Sequence, residues 1–93
     1  MKIIQSRSFE QRVKKFSKDQ KLVLDEQVRR IVGDPTIGTE KKGDLKEIFV
    51  HKFKIKTLQC LLAYRIVDET LELIMIGPHE NYYRDLTKYL KNK

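Results

Sequence analysis

Three consecutive segments between residues 48 and 76 have the side-chain pattern of β-strands, and they limit the possible folds more than any other feature. In IFVHKFKIK, residues 48–56, apolar residues and His51 alternate with Val50 and lysines, as in a strand with one buried face. LQCLLAYRIV, residues 58–67, is apolar on both faces, as expected of a central strand, and LELIMI, residues 71–76, is a third β-type run. Consecutive strands with short links predict a β-meander.

Two helices are predicted upstream of the meander. Ser8 and Ser17 are each followed three residues later by a glutamine, which is the pattern of a capping box at a helix start. Apolar residues then recur at helical spacing after both serines. The second helix should stop at Gly33, where a glycine can take the left-handed cap conformation and Pro35 blocks continuation. The two helices are therefore expected to form a hairpin.

The remaining segments complete a single domain spanning residues 1–93. KIIQ, residues 2–5, is a candidate first strand, and the charged, glycine-containing segment 36–47 is expected to be a surface loop. Tyr82 and the apolar residues that follow it at helical spacing predict a terminal helix. The predicted order is β-α-α-β-β-β-α, an α+β fold with a helical hairpin packed on a mainly antiparallel four-stranded sheet.

Charge and cysteine content narrow the classes of partner and compartment. The formal net charge is +7, which favours a polyanionic partner such as nucleic acid or the ribosome over a merely soluble cationic surface. No apolar run approaches the roughly 20 residues that a membrane span needs. Cys60 lies alone in an apolar run, which indicates a reduced, buried thiol and a cytoplasmic protein. One cysteine and two histidines without a ligand spacing predict no metal site and no cofactor.

A row of lysines is the first candidate binding feature. Lys52, Lys54 and Lys56 are expected on one face of a single strand, roughly 7 Å apart, a spacing that suits a phosphodiester backbone. Arg65 and Arg84 could extend this RNA- or phosphate-binding patch. The alternative is an edge strand that lysines protect against aggregation.

A second candidate is the segment that follows the last strand, where His79 comes directly after Gly77 and Pro78. A histidine titrates near neutrality and can act as a general acid or base. Tyr83, one turn further on, could stack on a base, since stacking is worth about 1–3 kcal/mol. The alternative is that His79 caps the helix and the tyrosines pack on the sheet. Tyr82 is predicted to be a core residue in either case.

The order of elements and three short motifs resemble the RelE/ParE superfamily of toxins from bacterial type II toxin–antitoxin systems. The motifs are GDLKEIFVHKFKI, the hairpin LLAYRIVDETLELIMIG, and the HENYY that follows it. The resemblance implies a toxin neutralised by a cognate antitoxin that wraps it and blocks its basic cleft. In the RelE-like branch it further implies metal-independent cleavage of mRNA on the ribosome. The ParE-like branch instead implies inhibition of DNA gyrase.

The resemblance also assigns catalytic roles to four residues. Lys52 and Lys54 match the two strand lysines that RelE is thought to use as base and phosphate stabiliser. His79 and Tyr83 match the histidine and aromatic residue that close a YafQ-like active site.

Three positions depart from the two known constellations. Leu61 stands where RelE has a catalytic arginine, while Ile55 and Gln59 stand where YafQ-like toxins have a histidine and an aspartate. His51, four residues from Ile55, is a possible substitute and a further candidate for RNA binding. The leading hypothesis is a ribosome-dependent mRNA endonuclease that inhibits translation, and the alternative is a gyrase inhibitor. A third possibility is a degenerate member that only binds an antitoxin or an operator complex.

Overall fold

A computed structural model of the chain describes residues 1–41, 47–78 and 82–91. Within these ranges the chain forms five β-strands, three α-helices and a 3₁₀ turn at Pro35–Ile37. In chain order the elements are β1 (Lys2–Gln5), α1 (Arg7–Val13), α2 (Lys18–Gly33), β2 (Thr39–Glu40), β3 (Phe49–Ile55), β4 (Leu58–Val67), β5 (Thr70–Pro78) and α3 (Tyr82–Lys91).

All five strands belong to one sheet, in the order β1-β5-β4-β3-β2. Strands β3, β4 and β5 form the predicted antiparallel meander. β1 is parallel to β5, which places the first strand beside the last. The predicted four strands become five because β2 pairs Thr39 with Val50 and Glu40 with Phe49. These two residues lie in the segment that was expected to be a loop, since a two-residue strand has no periodicity to detect.

The helix starts follow from side-chain capping. Ser17 and Gln20 form the predicted capping box at the start of α2, with each side chain bonded to the other residue's backbone N–H. The prediction of a cap at Ser8 is wrong. α1 begins earlier, and the hydroxyl of Ser6 accepts from the N–H of Phe9. Gly33 is the last residue of α2, and the chain leaves the helix through an extended Asp34 rather than a left-handed cap.

Each face of the sheet is covered by helix. α1 and α2 pack on one face, as predicted, and α3 packs on the other, so the sheet has a hairpin face and an α3 face. The core under the hairpin face includes Phe9, Leu24, Ile31, Phe53, Ile55, Cys60, Leu62 and Tyr64. The core under α3 consists of Ile48, Val50, Leu61, Ala63, Ile74, Tyr82 and Leu86.

A β-bulge interrupts β5 beneath α3. Ala63 pairs with Met75 and Tyr64 with Leu73, so that Ile74 is an extra residue in β5. Two carbonyl oxygens at the bulge accept hydrogen bonds from side chains outside the sheet. Ser6 donates its hydroxyl to the carbonyl of Ile74, and Tyr82 donates its hydroxyl to the carbonyl of Met75 at 2.7 Å. The bulge is thereby bonded both to the start of α1 and to the start of α3.

Three helices are described, and none of them has the length and apolar content required to span a bilayer.

Candidate basic site at the end of the sheet

Two lysines lie side by side on the α3 face at the end of β3. Lys52 and Lys54 are exposed, while the alternate residues Phe53 and Ile55 are buried on the hairpin face. The cross-strand partner of Lys54 is the exposed Gln59. Within the described part of the chain neither lysine forms an ion pair with a carboxylate. Their two ammonium groups are therefore available to an anion such as a phosphodiester.

Lys56 does not continue this row. β3 ends at Ile55, which pairs with Leu58, so Lys56 and Thr57 form the turn between the two strands. Lys56 has a φ of 59°, in the left-handed region, and a residue in that conformation no longer alternates with the strand. The prediction of three lysines in one ladder is therefore wrong for Lys56.

His51 lies on the opposite face from Lys52 and Lys54. Its side chain is buried, stacks on Phe53, and its Nε2 is 2.7 Å from Oε1 of Gln27 in α2. Burial lowers its pKa, and the nearby positive charge of Arg30 lowers it further. His51 therefore contributes to packing between α2 and the sheet. The expectation that it joins an RNA-binding surface with the lysines is wrong.

The two arginines proposed to extend the patch each lie beside a carboxylate. Arg65 pairs with Glu72 directly across β4 and β5 at 2.7 Å, four residues along β4 from the partner of Lys52. Four residues of strand correspond to roughly 13 Å. The charge of Arg65 is thus used within the sheet. Arg84 is exposed on α3, with its Nε 3.8 Å from Asp85.

The adjacent tyrosines at the start of α3 have different surroundings. Tyr82 is buried, as predicted, and burial raises its pKa well above the ordinary value. Tyr83 is partly buried and packs edge-on against Tyr82. The ammonium group of Lys41 lies 4.8 Å from the centroid of the Tyr83 ring, a cation–π contact. A base stacking on Tyr83 would therefore have to displace Lys41 or use the other face of the ring.

Sequence reasoning missed Lys41, because this residue reaches Tyr83 only through the short pairing of β2 with β3. No periodic pattern in the sequence indicates that pairing.

His79 lies outside the described residues. β5 extends to Pro78, two residues beyond the predicted end of the strand, and His79 is the next residue in the chain. Its role as a general acid or base stays a prediction.

Other kinds of chemistry find little support among the described residues. The free Cys60 is buried, and burial raises its pKa, which disfavours the nucleophilic thiolate. The described residues contain no group of three histidine, cysteine or acidic side chains that could hold a metal ion. The arrangement best suits the binding of a negatively charged backbone.

Comparison with known proteins identifies the family. A family model described as "ParE-like toxin of type II bacterial toxin-antitoxin system" matches residues 3–87. No curated protein sequence matches the chain.

Solved structures share the fold at low sequence identity. A free-state structure of a mutant of the E. coli toxin RelE is 17% identical, with a TM-score of 0.72 and 96% of each chain covered. A YoeB/ParE toxin from Agrobacterium tumefaciens is 18% identical, with a TM-score of 0.67 over 85% of this chain and 99% of that one. The intact E. coli RelBE toxin–antitoxin complex contains a chain that is 17% identical, with a TM-score of 0.67 over 85% and 96%.

Proposed function

The chain belongs to the RelE/ParE superfamily, as a ParE-like toxin of a bacterial type II toxin–antitoxin system, and we propose that it inhibits translation by cutting mRNA on the ribosome. The single observation that carries this proposal is the pair of exposed, unpaired ammonium groups of Lys52 and Lys54 on the α3 face. A cognate antitoxin is the partner that holds the toxin inactive. A protein with a net charge of +7 is also suited to association with the RNA-rich ribosome.

In the proposed reaction the 2′-hydroxyl of the mRNA attacks the adjacent phosphate and the 5′-oxygen leaves. Lys52 and Lys54 hold the phosphate and stabilise the negative charge that grows on it in the transition state. His79 accepts the proton of the attacking 2′-hydroxyl and donates it to the leaving 5′-oxygen, and Tyr83 contacts a neighbouring base. Arg84 adds positive charge from α3. The proposed reaction needs no metal ion, since side chains supply both the electrostatic stabilisation and the proton transfer.

A specific observation also favours the alternative, inhibition of DNA gyrase. The position that resembles the catalytic arginine of RelE is Leu61, which is fully buried between the sheet and α3. An apolar residue there supplies no charge to a phosphate. In this alternative the two basic helices, α1 and α2, or the C-terminal segment contact a protein surface, and no bond is broken.

The deciding experiment follows protein and DNA synthesis separately by pulse labelling after brief induction of the toxin without its antitoxin. The nuclease proposal predicts that protein synthesis collapses first and that primer extension detects new mRNA ends within codons. If DNA synthesis stops first and an SOS response begins while translation continues, the nuclease proposal is wrong and the gyrase alternative replaces it. Normal growth on expression would contradict both and point to a degenerate member that only binds an antitoxin or an operator complex.

A further inference from the structure

A small open pocket of about 90 Å³ lies where α1, the end of β5 and the start of α3 meet. Arg12 from α1, Gly77 from β5, and Tyr82 and Asp85 from α3 are among the residues that line it. None of these four residues was a candidate site residue on sequence grounds. The pocket therefore joins α1 to two elements that come much later in the chain, β5 and α3.

Residue 77 has no side chain to occupy this pocket. A Cβ atom at Gly77 would lie 3.6 Å from Cδ1 of Tyr82 and 3.9 Å from the guanidinium carbon of Arg12, which are ordinary van der Waals distances. The φ of Gly77 is not in the left-handed region that favours glycine. Neither crowding nor backbone conformation requires a glycine at position 77. The effect of the glycine is to leave open space beside Tyr82 and Arg12.

Arg12 supplies a cationic group to the pocket. It is exposed, and in the described ranges no carboxylate forms an ion pair with its guanidinium group. Because the guanidinium group is planar and rigid, it binds phosphate through two parallel hydrogen bonds. Arg12 is therefore suited to hold a phosphodiester at the mouth of the pocket.

The pocket is in register with the lysine pair. Lys52 pairs with Leu61, and Leu61 pairs with Gly77, so these three residues form one row across β3, β4 and β5. Two strand spacings separate the ends of the row, roughly 10 Å. The Cβ position of Gly77 points at Tyr82, which places the pocket on the α3 face with Lys52. Leu61, the middle residue of the row, is buried against α3, so an RNA strand held by Lys52 would have to reach Arg12 around α3 rather than along the row.

Asp85 restricts the ligand. Asp85 lines the same pocket, and its carboxylate is 3.8 Å from Nε of Arg84. A carboxylate repels free phosphate but accepts hydrogen bonds from hydroxyl and amino groups. A nucleotide presents both kinds of group, a phosphate at one position and donors on its ribose and base at another. The pair of Arg12 and Asp85 matches a nucleotide better than it matches a bare anion.

We propose that Arg12, Asp85 and the space left by Gly77 form a nucleotide subsite of the RNA-binding surface. In this subsite Arg12 binds a backbone phosphate and Asp85 accepts a hydrogen bond from the same nucleotide. Arg12 thereby places a second cationic group at the other end of the row from Lys52. The inference rests on the proposed function, because it extends the same surface.

Three variants separate the parts of this proposal. Arg12→Gln removes the phosphate-binding charge, and Gly77→Ala places a methyl group in the pocket without changing any charge. Arg7→Gln is the matched control, since Arg7 is an exposed arginine of the same helix that does not line the pocket. Urea denaturation of each variant identifies any that is misfolded, and Gly77→Ser is a second pocket-filling variant in case Gly77→Ala is unstable.

Two measurements are made on the full chain, namely mRNA cleavage on ribosomes and binding of a labelled single-stranded RNA oligonucleotide by fluorescence anisotropy without ribosomes. We expect Arg12→Gln to weaken oligonucleotide binding by about tenfold, as for the loss of one charged hydrogen-bonding group. Gly77→Ala should also weaken it and Arg7→Gln should not. If all three bind RNA alike, or Arg7→Gln loses as much as Arg12→Gln, the subsite is wrong.

The two readouts keep this inference separate from the proposed function. A wild-type protein that binds the oligonucleotide through Arg12 but does not cut mRNA contradicts the nuclease proposal and supports the subsite. If the wild-type protein cuts mRNA, and the Arg12→Gln and Gly77→Ala variants cut it equally well, the nuclease proposal is supported and the subsite is overturned. Inorganic phosphate is tested in place of the oligonucleotide. If the wild-type protein binds phosphate and Arg12→Gln weakens this binding as much as it weakens oligonucleotide binding, the pocket is an anion site and the assignment to a nucleotide is wrong.

Discussion

The hydroxyl of Tyr82 donates a hydrogen bond to the carbonyl of Met75 at 2.7 Å, and this bond connects the first residue of α3 to the bulge of β5. A bulge leaves backbone groups without their usual cross-strand partners. Tyr82 is buried, so water cannot readily replace the bond. The position of α3 on the sheet therefore depends on one phenol group as well as on apolar packing.

Replacing Tyr82 with phenylalanine should lower the free energy of unfolding by about 1–3 kcal/mol, because the Met75 carbonyl loses its buried partner. Urea denaturation measures this difference. The control is Tyr89→Phe, since Tyr89 lies on the same helix, is only partly buried and has no bonded partner among the described residues. Equal stability of Tyr82→Phe and wild type would show that the bond contributes nothing.

Removing either strand lysine should abolish most of the nuclease activity. We expect Lys52→Gln and Lys54→Gln each to slow mRNA cleavage on ribosomes by about 100-fold, the size of effect found when one group that stabilises transition-state charge is lost. Lys21→Gln removes the same charge from the exposed surface of α2 and should cut mRNA at the wild-type rate. Full activity of both strand variants would remove these lysines from the mechanism.

Gly38 and Tyr64 are expected to be coupled in stability. The Tyr64 hydroxyl donates to the carbonyl of Pro35 and accepts from the N–H of Gly38, and a Cβ at Gly38 would lie 2.6 Å from that hydroxyl. Gly38→Ala should therefore destabilise the protein by about 1–3 kcal/mol.

The loss should be smaller when Tyr64→Phe is already present, because the clashing oxygen is gone. A double-mutant cycle in urea measures this coupling. Gly33→Ala is the control: a Cβ there meets nothing within 4 Å, and in a helix this change should stabilise slightly. Additive effects of Gly38→Ala and Tyr64→Phe would contradict the predicted contact.

The turn between β4 and β5 offers a stabilising substitution. Asp68 and Glu69 both have positive φ, 48° and 62°, and a glutamate in that conformation is strained by about 1–2 kcal/mol. Asp68→Asn combined with Glu69→Gly supplies the residues that such a hairpin turn prefers and should raise the melting temperature. Asp68→Asn combined with Glu69→Gln has the same net charge but no glycine. Similar melting temperatures for the two double variants would rule out relief of backbone strain.

His51 should make folding stability depend on pH near neutrality. Its pKa in the folded protein is held below the ordinary 6.5, chiefly by burial and then by Arg30. As the pH falls below about 6.5 the unfolded chain takes up a proton that the folded protein does not, so the free energy of unfolding decreases. His51→Gln should flatten this part of the stability curve, measured by urea denaturation at several pH values. Curves of equal slope in both proteins would contradict the assignment to His51.

Much of the fold follows from sequence because its signals are local. The alternation along β3 and the apolar run of β4 define the meander, and the capping box at Ser17 fixes the start of α2. The burial of Tyr82 follows from its helical spacing with Leu86. Arg65 was expected in the basic patch, although it and Glu72 lie equally far from the turn at Asp68 and Glu69, so that hairpin register places them opposite each other.

The site is less predictable because it depends on tertiary placement. The strand stops before Lys56, and alternation alone cannot show this, because Lys56 continues the alternating pattern of Lys52 and Lys54 although it lies in the turn. Nor does any local signal show that Arg12 lies near Gly77, in the part of β5 that follows its pairing with β1. His51 has the right chemistry for a site, and only the packing of α2 on the sheet shows that this histidine is buried.

The parallel pairing of β1 with β5 has a consequence for synthesis of the protein. Ser6, next to β1, bonds to Ile74 of β5, 68 residues later in the chain. Contacts between such distant residues form late, because a long loop must close before they are made. While the ribosome is still producing the chain, β1 has no strand to pair with until β5 has left the exit tunnel. The toxin therefore cannot complete its sheet on the ribosome that makes it until most of its sequence has been translated and released from the tunnel.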